Sequence, residues 1–554
     1  MSDPVAGDKK DQEEPLIPDE SAAPEEPSGS ASAFKEPSAS ASEDSEVEAP
    51  AAAAFVPGVA PAADPEPATE VVVARSDQPY GDPVDPWAGH AAGFNTPVDG
   101  HYAYPKEEIA ERKPRRRTWL VVVLASLLTM VLAVATAAVV YFWPRYPALD
   151  FERLAEGQHF SPVVPVSSAW SDATVSGDRI YFASSDVKGA VGLTAVDGYS
   201  TQPSWSSTAA GTAKRWTGMM ALSYGVMITG TTGVKTTPKR TVVLGSEQGQ
   251  LLWDILLGKD DQMIFGKDVA VRVDASGHRL IGLDATTGNE RWRLPDLSDT
   301  GTRTLPISAP EDLTGPTSGR GRPFSPAFTD QRLVQINADH SVRLVDMNSG
   351  TVGKSWQTGA VADDQVYAHN GQLIIRESGN VQRIVAYDLE TGSPNLLYTA
   401  EPDTELTGLA PCGDDLVCFV KTVDGAKTQT VVRLSLSGAP AWESGALTEI
   451  IRVFPIGNTV IVQSETNTTL LDDKGATSWT HPGSVARIDS GNMLRFGHIF
   501  TAEPIDESLS GQHVGDPPVE LGAAYDVRTE TCAWTTRVLG CVTEKDYVTQ
   551  RFAK

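Results

Sequence analysis

Cysteine is almost missing from the first three quarters of the chain: of 554 residues only Cys412, Cys418, Cys532 and Cys541 carry a thiol, and none precedes residue 412. Histidine is also sparse, with nine in all, and His278, His340, His369, His481 and His498 show none of the short spacings that hold a metal ion. No His-Glu-x-x-His helix, phosphate-binding Gly-rich loop, Gly-x-Ser-x-Gly elbow or Cys-x-x-Cys pair occurs. Their lack argues against the commonest metalloprotease, nucleotide-dependent, esterase and thiol-redox chemistries. The acidic pairs Asp260-Asp261, Asp363-Asp364, Asp414-Asp415 and Asp472-Asp473 read as solvated turns rather than calcium ligands. Positive charge is scarce as well: the formal net charge is −27, and beyond residue 143 some 48 acids face 35 bases, so nucleic acid is excluded as a partner.

Composition changes sharply along the chain. Residues 1–112 hold 24 acids and 6 bases among Ala, Pro and Ser, too little apolar surface to offset the entropy of ordering a backbone, and are expected to form a disordered acidic tail. Near its end Tyr80, Trp87, Phe94, Tyr102 and Tyr104 are spaced among Gly, Pro and Asp, either as a solvated linker or as a docking motif for a cytoplasmic partner.

Long hydrophobic runs are missing but for one. From Trp119 to Trp143, 25 consecutive residues carry no charge, more than the roughly 20 that a helix needs to cross the hydrocarbon core. The expected organisation is a basic flank at 113–117, a transmembrane signal anchor at 118–143, a linker at 144–164 and a globular domain at 165–554. Lys113, Arg115, Arg116 and Arg117 precede the run and only Arg145 follows it closely, which retains the N-terminus in the cytoplasm. The expected localisation is the cell membrane, single-pass, with the C-terminal domain outside. All four cysteines then lie in an oxidising compartment, and their short separations favour Cys412 with Cys418 and Cys532 with Cys541.

Beyond the run a pattern recurs: an apolar strand, an Asp-containing turn ending in Gly, then an aromatic. The clearest copy is Gly282-Leu283-Asp284-Ala285-Thr286-Thr287-Gly288 leading to Trp292. Asp346 to Gly350 leads to Trp356, Asp388 to Gly392 leads to Tyr398, and Asp526 to Glu530, where Glu replaces Gly, leads to Trp534. Weaker copies are Asp197-Gly198 before Trp205, Gly249 before Trp253, Gly438 before Trp442 and Asp472 to Gly475 before Trp479. The eight aromatics are spaced by 48, 39, 64, 42, 44, 37 and 55 residues, bracketing the roughly 40 to 50 of a four-stranded propeller blade. Asp closes the turn through its backbone N–H groups, Gly supplies positive φ, and the ring fills the wedge against the neighbouring sheet. The expected fold is all-β, an eight-bladed β-propeller with seven blades left open as the alternative.

The Leu-Asp-x-x-Thr-Gly-x-x-x-Trp pattern resembles the repeat of pyrroloquinoline-quinone-type, quinoprotein alcohol dehydrogenase-like β-propellers. That family includes quinone-dependent dehydrogenases and non-catalytic envelope proteins. Dehydrogenases of the family often carry adjacent cysteines over the cofactor, and this chain has no Cys-Cys pair. The resemblance therefore implies the non-catalytic envelope type, without a cofactor. The tail and hydrophobic run resemble those of membrane proteins of high-GC Gram-positive bacteria. The expected function is a membrane-anchored binding or scaffold module for an envelope protein or cell-wall polymer. An extracytoplasmic propeller enzyme, whether a quinone-dependent dehydrogenase or a hydrolase, and a transmembrane sensor are the alternatives.

The longest interval between aromatics, Trp292 to Trp356, contains a Pro/Gly/Ser/Thr-rich insertion from about Pro295 to Pro326. Arg303, Arg320 and Arg322 give it positive character, so it is the candidate binding loop for an anionic polymer or an acidic partner, or else a disordered, inert loop. Replacing 297–325 by a Gly-Ser linker is expected to leave the core folded.

Overall fold

A computed structural model describes residues 146–554, apart from 234–237, 296–301, 320, 327, 362–363, 424–427 and 439. The acidic tail, the basic flank and the hydrophobic run lie outside these residues. Among the described residues no helix is long and apolar enough to cross a membrane. They form strands throughout, with one 3-10 turn, Pro310–Leu313.

Seven four-stranded antiparallel meanders follow one another at residues 170–207, 215–257, 262–295, 303–357, 365–399, 404–443 and 450–482. A seven-stranded sheet ends the domain, built from residues 485–551 and the strand Gln158–Phe160. That early strand pairs with Tyr547–Thr549, so residues from the stretch read as a linker complete the last sheet.

Burial explains the strand sequences. A second strand such as Arg179–Ser185 is buried along nearly its whole length, with Ile180 to Ala183 apolar or aromatic at its centre, because neighbouring meanders cover both of its faces. A fourth strand such as Glu290–Pro295 alternates partly buried with exposed residues, as an outer edge does. First strands are innermost: those of the fourth and fifth meanders run side by side in parallel, pairing Ile307 with Ala368 and Ser308 with His369. The first meander packs on the second around Tyr181 and Trp205. It packs equally on the terminal sheet, where Phe182 stacks on Tyr547 at 4.8 Å and Tyr547 Oη donates to Ser184 Oγ at 2.7 Å. The succession of sheets thus returns on itself as an all-β, propeller-like domain.

The aromatic repeat joins one meander to the next. Asp284 Oδ1 accepts from the backbone N–H of Thr286 and Thr287, at 3.1 and 2.9 Å, and Gly288 completes the turn at φ +69°. Trp253 of the preceding meander lies over that glycine, where a Cβ would sit 2.7 Å from it, and donates Nε1–H to Ala285 O at 2.8 Å. Trp205 repeats the contact on Gly249 and Ser246 O, and Trp292 on Gly350 and Met347 O. Trp356 and Trp442 cover Gly392 and Gly475. The Arg291 guanidinium, hydrogen-bonded to Asp284, holds that carboxyl well below the usual carboxylate range.

Three of the aromatics make contacts other than with a turn glycine, the first two still reaching the next sheet. Tyr398 packs on Phe419 at 5.0 Å, and Trp479 lies beneath the Arg495 guanidinium at 4.7 Å. Trp534 is fully buried in the terminal core and donates to Arg487 O at 3.0 Å. No turn separates Asp526 from Trp534: both belong to one strand, Val519–Trp534, in which Asp526 itself adopts φ +55°. Without Gly at position 530 the chain continues as strand, long enough to pair with Pro504–His513 along its first part and with Val538–Thr543 along its last. In the first meander the positive φ falls on Thr201, at +55°, and not on Gly198.

Both expected cysteine pairs are at disulfide distance. Cys412 and Cys418 flank the turn between the first two strands of the sixth meander, with Cα atoms 5.5 Å apart. Cys532 and Cys541 join adjacent strands of the terminal sheet at 4.2 Å. Closing such short loops removes unfolded-state entropy, so replacing Cys532 and Cys541 together by serine is expected to cost about 2–3 kcal/mol. Urea unfolding of the variant and the parent, with and without reductant, checks this; a parent whose midpoint ignores reductant contradicts it.

Candidate functional site at the axis

The insertion is not only a surface loop. Arg303–Ser308 is the innermost strand of the fourth meander, and the segment from Ala309 to Gln331 leaves from its end and crosses the axis. Asp312 ties the base of this crossing: its carboxylate accepts from Ala309 N at 2.8 Å, Thr329 N at 3.2 Å and Thr329 Oγ1 at 3.1 Å. Burial raises the Asp312 pKa against the pull of these hydrogen bonds.

Between those ends the segment touches the innermost strands of five other units. Phe324 O accepts from Ala221 N in the second meander and from Thr174 Oγ1 in the first, both at 3.1 Å. Phe328 N donates to Phe265 O in the third meander at 3.1 Å. A Cβ on Gly321 would meet the Arg452 side chain of the seventh at 2.6 Å. Thr317 N donates to Arg487 O in the terminal sheet at 3.1 Å, and Arg487 Nε returns a bond to Gly315 O at 2.8 Å. The Phe324 ring is 5% exposed and meets Trp534 edge-on at 5.2 Å. The insertion is thus a core element at the axis.

This corrects the expectation that 297–325 is dispensable, since that range includes an innermost strand and Phe324. Arg303 opens the strand, donates Nη1–H to Asp364 O at 2.8 Å, and has its pKa lowered by burial. Arg322 is exposed on the crossing segment, its backbone paired with Ser318. Arg320 lies outside the described residues. The arginines that are described stand on different elements, one strand and one turn.

Arg487 is 3% exposed, and burial lowers its pKa to about 10, which leaves it charged at neutral pH. It spends that charge on backbone carbonyls, donating Nη1–H to Pro455 O and Nε–H to Gly315 O, both at 2.8 Å. The cation therefore fastens the insertion to both the seventh meander and the terminal sheet.

At the root of the insertion, His369 Nδ1 is 2.8 Å from Ser308 Oγ, and Nε2 is 3.1 Å from Gly413 O. A carbonyl only accepts, so the partners assign the proton to Nε2 and leave Nδ1 to accept from the serine hydroxyl. Burial lowers the His369 pKa and keeps the ring neutral. A neutral imidazole accepting from a hydroxyl can serve as a base beside a nucleophile; the same bonds also tie the fourth, fifth and sixth meanders together. The spacing of 61 residues between the two side chains concealed this pair, and only the parallel pairing of innermost strands brings it together.

In the terminal sheet Glu507 is fully buried. Its Oε1 accepts from His498 N at 3.2 Å, while Oε2 makes no hydrogen bond and has His498 Nδ1 at 3.3 Å. Burial raises its pKa above the ordinary 4.5. The contribution of such a group to stability is complete below the unfolded value and is lost as pH rises through the folded one. Glu507→Gln is accordingly expected to raise the melting temperature at pH 8 more than at pH 4.5; an equal effect at both contradicts the assignment. Among the described residues no group of three or more His, Cys, Asp or Glu side chains is placed to hold a metal ion.

No protein-family model and no curated protein matches the chain. Among solved structures it is similar to BamB from Moraxella catarrhalis, at 13% identity and a TM-score of 0.37, over 72% of this chain and 99% of that one. It is also similar to dihydro-heme d1 dehydrogenase NirN in complex with DHE, at 12% identity and a TM-score of 0.38, over 72% of this chain and 86% of that one. At such TM-scores neither likeness transfers a function.

Proposed function

We propose that the chain is a membrane-anchored, non-catalytic binding or scaffold module, with its propeller-like domain of eight sheet units outside the membrane and its acidic tail in the cytoplasm. The observation that carries the binding reading is the insertion that crosses the axis: its Thr317 and Phe324 are buried there, and the innermost-strand side chain of Arg487 is spent on holding it, where such side chains would otherwise converge on a small molecule. The remaining surface of a ring of sheets is large and made of turns, the kind of surface that receives an envelope protein or a cell-wall polymer. Anchoring and orientation rest on the uncharged run 119–143 and its basic flank.

Protease added to intact protoplasts tests the topology: it should remove the domain and spare an N-terminal epitope, and loss of the epitope refutes it. Crosslinking of the full chain in intact membranes tests the binding role, with capture of a defined envelope protein or wall polymer expected. The second reading, a hydrolase, draws on Ser308 and His369. Labelling of the full chain by a fluorophosphonate probe, abolished by Ser308→Ala, would favour it over the scaffold reading.

A further inference from the structure

We infer that the domain turns toward the membrane the face on which the insertion enters the axis. The inference rests on the membrane-anchored reading above and adds an orientation that the anchor alone does not set.

The first residues after the hydrophobic run are held on the domain. Asn492, fully buried, donates Nδ2–H to Pro147 O at 2.9 Å and accepts from Leu149 N at 3.1 Å. Its amide is itself positioned by Asp489 Oδ1 at 2.9 Å. A Cβ on Gly491 would sit 2.8 Å from Tyr146 O. Further along, Glu152 N donates to Phe552 O and Ala155 N to Arg551 O, at 2.8 and 2.9 Å, and Phe151 stacks on Phe552. Only Pro144 and Arg145 separate Trp143 from Tyr146, so that the link reaches at most about 10 Å even when fully extended.

The docking point fixes which face is near. Residues 488–491 connect the innermost strand Val485–Arg487 to the next, and the Arg487 carbonyl on that strand already binds Thr317 of the insertion. The link therefore attaches beside the axis, at the end of the domain that carries every turn between first and second strands. The Asp turns between third and fourth strands lie at that same end, since Ser246 N donates to Tyr224 O, Ala285 N to Asp268 O and Leu389 N to Gly371 O. The insertion takes the place of the fourth meander's turn between first and second strands. Turns between second and third strands, at Asp186–Ala190, Asn337–Ser341 and Ser464–Asn467, lie at the opposite end. A six-residue strand such as Thr459–Ser464 separates the ends by about 20 Å, twice the reach of the link. A tether that short, attached near the axis, does not let the far face reach the bilayer.

Charge does not produce this orientation. The near face exposes the acids Asp178, Glu247, Asp268, Asp415 and Asp473 together with the bases Lys267, Arg322 and Lys474, a mixed surface that does not draw it to anionic lipid, so proximity comes from the covalent link.

Energy transfer from the full chain in phosphatidylcholine vesicles tests the orientation. The native cysteines are paired, so single cysteines introduced by Asp473→Cys, Glu465→Cys, Asp268→Cys and Ser276→Cys each take one donor dye, with the acceptor on a lipid headgroup. Residues 473 and 465 mark the two ends of the seventh meander, and 268 and 276 those of the third, so the pairs separate a tilt from a reversal. Transfer from 473 and 268 should exceed that from 465 and 276 by about twofold or more, given the length of a strand. Equal transfer within both pairs, or the reverse order, overturns the orientation. A carbonate wash keeps the two readings apart: a chain washed off the vesicles refutes the anchored reading and the orientation with it, whereas a chain that stays on with the wrong transfer order refutes the orientation alone.

Discussion

Phe324→Ala will destabilise the domain by about 3–5 kcal/mol, the cost of emptying a buried aromatic site. The ring is 5% exposed and belongs to the largest core cluster, where it meets Trp534 edge-on at 5.2 Å and is held in register by bonds from Ala221 and Thr174 to its carbonyl. Those backbone bonds survive the substitution, so the loss reports packing alone. Shortening 297–325 removes the strand Arg303–Ser308 as well, and that variant is expected not to form the fourth meander at all. Urea unfolding followed by both far-UV dichroism and tryptophan fluorescence measures the alanine variant. A shift below about 1 kcal/mol, the range of ordinary surface substitutions, would mean that the insertion merely rests on the axis.

Trp253→Ala should cost about the same, 3–5 kcal/mol, for a different reason. Its ring joins two meanders, lying over Gly288 while its Nε1–H satisfies the Ala285 carbonyl at 2.8 Å. Removing it opens a cavity and leaves that carbonyl without its donor. Gly288→Ala tests the contact from the other side: the added methyl meets Trp253 at 2.7 Å on a backbone already at φ +69°. Both substitutions therefore destabilise, and because they disrupt one contact their effects should fall short of additive in the double variant. Strict additivity in urea unfolding would show that ring and glycine act independently.

The repeat was legible because its chemistry is local. An Asp that closes its own turn and a Gly at positive φ announce themselves within five residues, so Asp284 to Trp292 and Asp388 to Gly392 mark true turns between third and fourth strands. Legibility failed where one local requirement was met by another residue: Thr201 takes the positive φ in the first meander, and Glu530 lets a turn become strand. The insertion was misread for a related reason. Pro, Gly, Ser and Thr mark an irregular backbone, but composition does not say whether that backbone sits in water or in a core.

By itself the sequence determined the all-β class, the strand-turn-aromatic unit, the cysteine partners and the place of the long uncharged run, since each depends on residues within a few positions or on composition over a single stretch. Tertiary structure alone decided what lies at the axis. Ser308 met His369 because the innermost strands of neighbouring meanders run in parallel, and Phe324 met Trp534 and Gly315 met Arg487 because the insertion crosses to the terminal sheet. It also decided that residues 158–160 complete the last sheet and that the chain enters beside the axis. Closure of a ring joins residues hundreds of positions apart, and no local pattern records which side chains will face one another once it closes.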